Sequence, residues 1–142
     1  MTKVLIVEDQ RMAQENMESI IKSSENYTLA GTISNSADAE LFCMREPVDL
    51  ILMDVCTSLH ANGIDAAAKI KSSFPHIKII IITSQPECSF IDRARKAGVD
   101  SFWYKTERPE SILDVMDRTM EGESIFPEST PPLQFGYITS DT

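Results

Sequence analysis

Four consecutive isoleucines, residues 79–82, are the feature that most limits how this chain can fold. They belong to an almost purely aliphatic stretch, residues 77–82, in which Lys78 is the one polar residue and which is too short to cross a membrane as a helix. The stretch shows no alternation of polar and apolar residues, as is typical of a strand in a parallel sheet that helices cover on both faces. The sequence therefore predicts an α/β fold built on a parallel sheet.

Strand-length apolar runs alternate with segments in which apolar residues recur at helical spacing. The predicted strands are residues 4–7, 27–33, 49–53, 77–82 and 99–104. The predicted core-facing positions of the intervening helices are Ala13, Met17, Ile20 and Ile21; Ala37, Leu41 and Met44; Ile64, Ala67, Ala68, Ile70 and Phe74; Phe90, Ala94 and Ala97; and Ile112, Val115, Met116 and Met120. Pro86 suits the first turn of the fourth helix, and Gly98 suits its C-terminal cap. The pattern predicts a (βα)5 domain with helices on both faces of a five-stranded parallel sheet.

Composition and charge narrow the function classes. The chain has 142 residues and a net charge of −9, and no Lys or Arg follows Arg118. By itself it is therefore a poor candidate for binding nucleic acid or an anionic membrane. The three cysteines, Cys43, Cys56 and Cys88, are odd in number and widely spaced, which favours a reducing cytoplasm over a disulfide framework. The N-terminus enters a strand at once, without the pattern of a signal peptide.

The last twenty residues differ from the rest of the chain. Residues 123–142 contain three prolines with several Ser and Thr, and they show no helical or strand periodicity of useful length. We therefore expect one domain over residues 1–122, followed by a linker or a lightly docked tail.

Polar side chains follow four of the predicted strands. Glu8 and Asp9 come after the first, Asp54 after the third, Thr83 after the fourth and Lys105 after the fifth. The carboxyl ends of parallel strands line one edge of the sheet, where ligands bind. Carboxylates at this density repel one another unless a divalent cation lies among them, and a lysine and a hydroxyl beside that cation suit a phosphoryl group.

In this order and at this spacing, the chain resembles the receiver domain of two-component response regulators over about residues 1–122. The residues that carry the resemblance are the acidic pair Glu8-Asp9, the phosphoacceptor segment at residues 52–55, the hydroxyl of Thr83, and the Ala-Gly-Val-Asp sequence at residues 97–100 followed by Lys105. The resemblance implies a flavodoxin-like fold. Residues 126–131 also resemble the interdomain linker of LuxR-type helix-turn-helix regulators, so the chain is expected to be the receiver part of a longer transcription factor.

The resemblance implies a phosphorylation-dependent switch whose nucleophile is Asp54. Asp54 would attack a phosphohistidine on a sensor histidine kinase and form an aspartyl phosphate. Mg²⁺ would be bound by Asp9, Asp54 and the backbone carbonyl of Cys56, with Glu8 acting mainly through coordinated water.

The remaining roles follow from the same resemblance. Lys105 would pair with Asp54 before transfer and with a phosphoryl oxygen after it, and Thr83 would swing to hydrogen-bond the phosphoryl group. That shift would bias the loops and helices after the fourth and fifth strands. The protein is expected to be a signalling switch rather than an enzyme. A homodimer on phosphorylation, and DNA binding through an output domain that this chain does not include, are the further partners implied.

The loop after Asp54 departs from the family pattern. Family members commonly carry a proline four residues after the acceptor and a glycine eight residues after it, whereas this chain has Ser58 and Asn62 there. Gly63 comes one residue late, so the loop contains an extra residue, which puts the position of the Cys56 carbonyl in question.

The fifth strand and its end also depart from the family pattern. Thr106 replaces the usual proline after the lysine, so a trans peptide bond is expected there. Phe102 occupies the position of the aromatic switch residue. Trp103 and Tyr104 are unusually bulky neighbours; at least one should pack in the core, and the other could contact a partner.

Several alternatives stay open on the sequence alone. The Glu8-Asp9 pair could favour the N-terminus of the first helix, and Thr83 could be the N-cap of the fourth. The altered loop could give a phosphorylation-independent interaction module that no longer switches. A haloacid-dehalogenase-like phosphatase is a weaker hypothesis, because it needs a second aspartate where Cys56 stands.

Overall fold

The computed structural model describes residues 1–57, 61–85, 87, 89–105 and 111–127. These residues form one sheet of five parallel strands in the order β2-β1-β3-β4-β5. The strands are β1 Thr2–Val7, β2 Tyr27–Ile33, β3 Leu50–Asp54, β4 Lys78–Thr83 and β5 Ser101–Tyr104. The predicted (βα)5 fold is confirmed, with strand boundaries within two residues of those predicted.

Helices cover both faces of the sheet. They are α1 Arg11–Ser23, α2 Ala39–Arg45, α3 Gly63–Ser73, α4 Ser89–Ala97 and α5 Ile112–Met120, with a short 3₁₀ turn at Ser36–Asp38 before α2. Alternate residues of β1, β3 and β4 enter two separate apolar clusters, one under α2, α3 and α4 and the other under α1 and α5. Because both faces are buried, the polar residues of these strands lie only at their ends: Thr2 and Lys3 start β1, Lys78 starts β4, and Asp54 and Thr83 end β3 and β4.

Four of the five helices bury the faces that their periodicity predicts, but the prediction for α2 is wrong. Leu41 is 48% exposed and Met44 is 62% exposed, while Ala39 and Cys43 face the core. The cause is the 3₁₀ turn, in which the Asn35 side chain accepts a hydrogen bond from the Ala37 N–H. The α-helical phase begins only at Ala39, so counting from Ala37 selects the wrong face.

The end of α4 and the packing of β5 agree with the expectations from the sequence. Gly98 follows α4 with φ 87°, the left-handed conformation expected of a helix C-terminus. Trp103 and Tyr104 are both buried, at 8% and 4% exposure.

The expectations for Pro86 and Thr106, and those for residues 128–142, concern residues outside the described part of the structure. No helix in the described part of the chain is long and apolar enough to span a membrane.

Candidate functional site

The register of β1 on β3 brings the acidic residues together. Val7 pairs with Met53. The residues that follow them in the chain, Glu8 and Asp54, therefore lie at the same edge of the sheet. Oxygen atoms of Glu8, Asp9 and Asp54 all lie within 4.8 Å of one another. Glu8 and Asp54 are 1% and 8% exposed, whereas Asp9 is exposed to solvent.

The register of β3, β4 and β5 adds Thr83 and Lys105 to the same edge. Asp54 pairs with Ile82, and Thr83 pairs with Tyr104. The Lys105 N–H then donates to the Thr83 carbonyl at 2.9 Å. The structure therefore brings together four of the five side chains that the strand ends predict, and it places Thr83 at the end of the neighbouring strand. Asp54 and Thr83 are the last residues of their strands rather than the first residues after them.

Lys105 lies between two of the carboxylates. Its Nζ is 2.6 Å from Glu8 Oε1 and 3.9 Å from Asp54 Oδ2. Burial raises the pKa of Asp54 to about 7; the Lys105 charge opposes this rise and the Glu8 charge adds to it. Without a further cation, Asp54 thus holds its proton far more tightly than an exposed aspartate does.

The donor set fits a hard divalent cation. Three carboxylates offer oxygen atoms within one small volume, and oxygen is the donor that Mg²⁺ prefers. A cation at this point would also offset the repulsion between Glu8 and Asp54, which are buried together. The backbone carbonyl of Cys56 as an additional ligand stays a prediction.

The altered loop is closed at its base. Cys56 and Asn62 form an isolated antiparallel bridge, and the Thr57 N–H donates to the Ala61 carbonyl at 3.2 Å. The Asn62 side chain accepts hydrogen bonds from the N–H groups of Ile64 and Asp65 and so caps α3. The extra residue therefore lies within a loop whose two ends are joined to each other.

Gly63 has a role that the sequence analysis does not assign. A Cβ built at this position would lie 1.9 Å from the Asp54 carbonyl oxygen, far inside van der Waals contact. The Gly63 N–H donates to the Val55 carbonyl at 2.6 Å. Only glycine lets α3 begin this close to the acceptor strand. The available signal was a glycine directly after an N-capping asparagine.

Thr57 and Ser36 form a second contact that the sequence does not reveal. The buried Thr57 hydroxyl accepts the Ser36 N–H at 2.9 Å and lies 3.0 Å from Ser36 Oγ. The pair is 21 residues apart in the chain, so no local pattern could indicate it. The contact ties the loop after Asp54 to the 3₁₀ turn before α2.

The structure bears differently on the two helix-terminus alternatives. The Thr83 hydroxyl accepts the Gln85 N–H at 3.0 Å, and α4 starts only at Ser89, so Thr83 is not its N-cap. Glu8 Oε2 accepts the N–H of Gln10, the N-cap residue of α1, at 3.1 Å. Glu8 therefore contacts the N-terminus of α1 as well as Lys105.

Comparison with known proteins defines the family. The model of the response regulator receiver domain matches residues 4–117, and the chain belongs to this family. It is 35% identical over 124 residues to the response regulator protein VraR of Staphylococcus epidermidis and 33% identical to that of Staphylococcus aureus. Each match covers 87% of this chain and 59% of the relative. The chain thus spans little more than half the length of these curated relatives.

Solved structures show the same fold. A LuxR family DNA-binding response regulator from Silicibacter pomeroyi is 27% identical, with a TM-score of 0.74 over 90% of this chain and 98% of that one. A LuxR family two-component response regulator from Aurantimonas sp. is 19% identical, with a TM-score of 0.80 over 88% of this chain and 89% of that one. The second likeness, at this identity, shows the fold alone. Membership of the receiver family leaves the phosphatase hypothesis without support.

Proposed function

We propose that this chain is a phosphorylation-dependent switch and that Asp54 accepts the phosphoryl group. The observation that carries the proposal is the cluster of Glu8, Asp9 and Asp54 oxygens within 4.8 Å, with the Lys105 ammonium 3.9 Å from Asp54. This is the arrangement that a carboxylate nucleophile needs when it attacks a negatively charged phosphoryl donor. Family membership supports it independently.

In the proposed step, an Asp54 carboxylate oxygen attacks phosphorus, and the bond from phosphorus to the donor nitrogen or oxygen breaks. The donor is a phosphohistidine of a sensor histidine kinase or a small acyl phosphate, and it leaves with the bonding electrons. Glu8, Asp9, Asp54 and the Cys56 carbonyl would hold Mg²⁺, which neutralises charge on the transferred group when it is bound. The attack requires the deprotonated form of Asp54, which the raised pKa disfavours until a cation is present.

Lys105 and Thr83 would then recognise the product. The Lys105 ammonium now divides its charge between Glu8 and Asp54, and it would move to a phosphoryl oxygen. The Thr83 hydroxyl would exchange its contact with the Gln85 N–H for one with the phosphoryl group. Both residues end neighbouring strands, so the movement would pass into β4, β5 and the helices that follow them.

The output of the switch is also part of the proposal. Response regulators are signalling proteins, and we infer that slow self-phosphorylation and dephosphorylation are the only chemistry of this one. The similarity to a LuxR family DNA-binding response regulator supports a role in transcriptional regulation. We further propose that this output acts through a separate domain and that phosphorylation produces a homodimer. A cytoplasmic location would suit the free cysteines Cys43 and Cys56.

The test is the intact mass of the protein after incubation with acetyl phosphate and Mg²⁺. We expect the parent to gain one phosphoryl group and the D54N variant to gain none. D65N is the matched control, because it makes the same chemical change at an exposed position of α3 and should be phosphorylated like the parent.

Each outcome has a definite meaning. Phosphorylation of D54N to the parent level would remove Asp54 as the acceptor. If neither the parent nor D65N gains mass and neither binds Mg²⁺, the phosphorylation-independent interaction module becomes the better hypothesis.

A further inference from the structure

Residues 123–126, which we name the β5 strap, follow α5 and lie along the outer edge of the sheet. β5 is the last strand in the sheet that the described residues form. The Phe102 N–H donates to the Ile125 carbonyl at 2.8 Å, and the Ile125 N–H donates to Ser101 Oγ at 3.1 Å. The β5 strap therefore satisfies backbone groups that an edge strand otherwise leaves open.

The β5 strap also closes both apolar clusters at this edge. Ile125 packs against the cluster under α1 and α5, and Phe126 packs against the opposite cluster. The Arg95 guanidinium lies 4.3 Å from the centroid of the Phe126 ring, which is a favourable cation–π distance. The Phe126 and Phe102 ring centroids are 6.4 Å apart. Because these contacts are few, docking of the β5 strap can be reversible. Because each has a defined partner, the docked strap has one defined position.

β5 connects the β5 strap directly to the phosphoryl site. The strand has only four residues; Ser101 and Phe102 hold the β5 strap at one end, and Lys105 follows the other end. The Phe102 ring packs edge-on against Tyr104, with centroids 5.1 Å apart, and Tyr104 pairs with Thr83 across the sheet. A displacement of the site residues would therefore reach the β5 strap through one short, packed strand.

We propose that the β5 strap is docked while Asp54 is unmodified and is released when a phosphoryl group on Asp54 draws Lys105 and Thr83 towards it. The inference rests on the proposed function. Its direction follows from the structure, in which the docked strap accompanies a Lys105 ammonium engaged with Glu8 and a Thr83 hydroxyl engaged with a neighbouring backbone N–H. Release would free the residues that follow the β5 strap to move. Their position would then depend on whether Asp54 carries a phosphoryl group.

Thermodynamic reciprocity makes the proposal testable from the other side. If binding at Asp54 weakens strap docking, a variant with a weakened strap must bind the phosphoryl analogue more tightly, by at most the same factor. F126A removes the anchoring ring, and R95Q removes the cation–π contact while leaving the core unchanged. K96Q is the matched control, because it also removes one exposed positive charge from the last turn of α4.

The experiment uses the whole 142-residue chain with Mg²⁺, with and without the phosphomimetic beryllofluoride. Amide hydrogen exchange of Phe102 and Ile125 is followed by NMR. We expect exchange of both amides to be about tenfold faster in the bound form, within the usual range of coupling between sites. F126A and R95Q should bind beryllofluoride about fivefold more tightly than the parent, and K96Q should match the parent.

Fluorine NMR of the bound beryllofluoride separates the two proposals. If the parent binds none, the proposed function fails and the strap proposal fails with it. If the parent binds beryllofluoride but the two amides exchange at an unchanged or slower rate, only the strap proposal is overturned. An R95Q affinity equal to that of K96Q would overturn it too, and this comparison tests the proposal even if F126A fails to fold.

Discussion

The buried Asp54 carboxylate should lower the free energy of unfolding of the metal-free protein at neutral pH. The D54N variant should therefore be more stable than the parent under these conditions. Burial with Glu8 raises the pKa of Asp54 from 3.8 to about 7. Between these two values the folded protein binds more protons than the unfolded chain, so its stability falls as the pH rises. The stability that the protonated form contributes is fully present below about pH 3.8 and is lost as the pH rises through about 7.

The size of the effect follows from that shift. A difference of about three pKa units corresponds to about 4 kcal/mol once both states are ionised, at about 1.4 kcal/mol per unit. At about pH 5 the Asp54 carboxyl is largely ionised in the unfolded chain but not in the folded protein. Only about 1.6 kcal/mol of the free energy of unfolding has then been lost. D54N does not ionise at this position. Its advantage over the parent should therefore grow by about 2 to 3 kcal/mol between about pH 5 and pH 8.

The assay is urea unfolding of the parent and D54N in EDTA at the two pH values. Trp103 is the only tryptophan and is buried, so its fluorescence reports unfolding directly. D92N makes the same chemical change at an exposed position of α4 and measures the general effect of losing a carboxylate. A D54N advantage that is the same at both pH values, or that D92N matches, would refute the reasoning.

Three further perturbations test the site. Mg²⁺ should stabilise the parent by about 2.7 kcal/mol at 100 times its Kd and leave D54N much less affected; equal thermal shifts in both proteins would contradict the assigned ligands. G63A should cost about 3 kcal/mol or more, because its Cβ would collide with the Asp54 carbonyl, whereas G98A, with open space but a positive φ, should cost about 1 to 2 kcal/mol in chemical denaturation. T57V should cost about 1 to 3 kcal/mol by leaving the Ser36 N–H without its acceptor, and T57S should restore stability; a neutral T57V would mean that the buried hydroxyl contributes nothing.

Most of the fold could be predicted because the strands are buried on both faces. Unbroken aliphatic runs such as residues 79–82 have few other structures available, and their order fixes which ends meet at one edge. The same logic predicts that Asp54, Thr83 and Lys105 lie at one edge of the sheet. These predictions depend on local patterns and on the parallel arrangement of neighbouring strands.

What the sequence missed depends on contacts between distant residues or on small changes of phase. The face of α2 was wrong because a 3₁₀ turn delays the helix to Ala39, and no periodicity rule detects a shift of that size. The Thr57 contact with Ser36 joins segments 21 residues apart. The fit of Gly63 against the Asp54 carbonyl depends on how closely α3 approaches β3, which is a property of packing.

The altered loop bears on metal binding more than on the acceptor itself. Asp54 is the last residue of β3, and hydrogen bonds to its neighbours in the sheet fix its backbone independently of the loop. Gly63 touches the same strand from the other side of the loop and so keeps its place despite coming one residue late. The extra residue lies in the loop of residues 56–62, which begins at Cys56, whose carbonyl is the proposed ligand. We therefore expect any impairment to appear as weaker Mg²⁺ affinity with normal phosphorylation at saturating Mg²⁺; loss of phosphorylation at saturating Mg²⁺ would instead place the defect at Asp54.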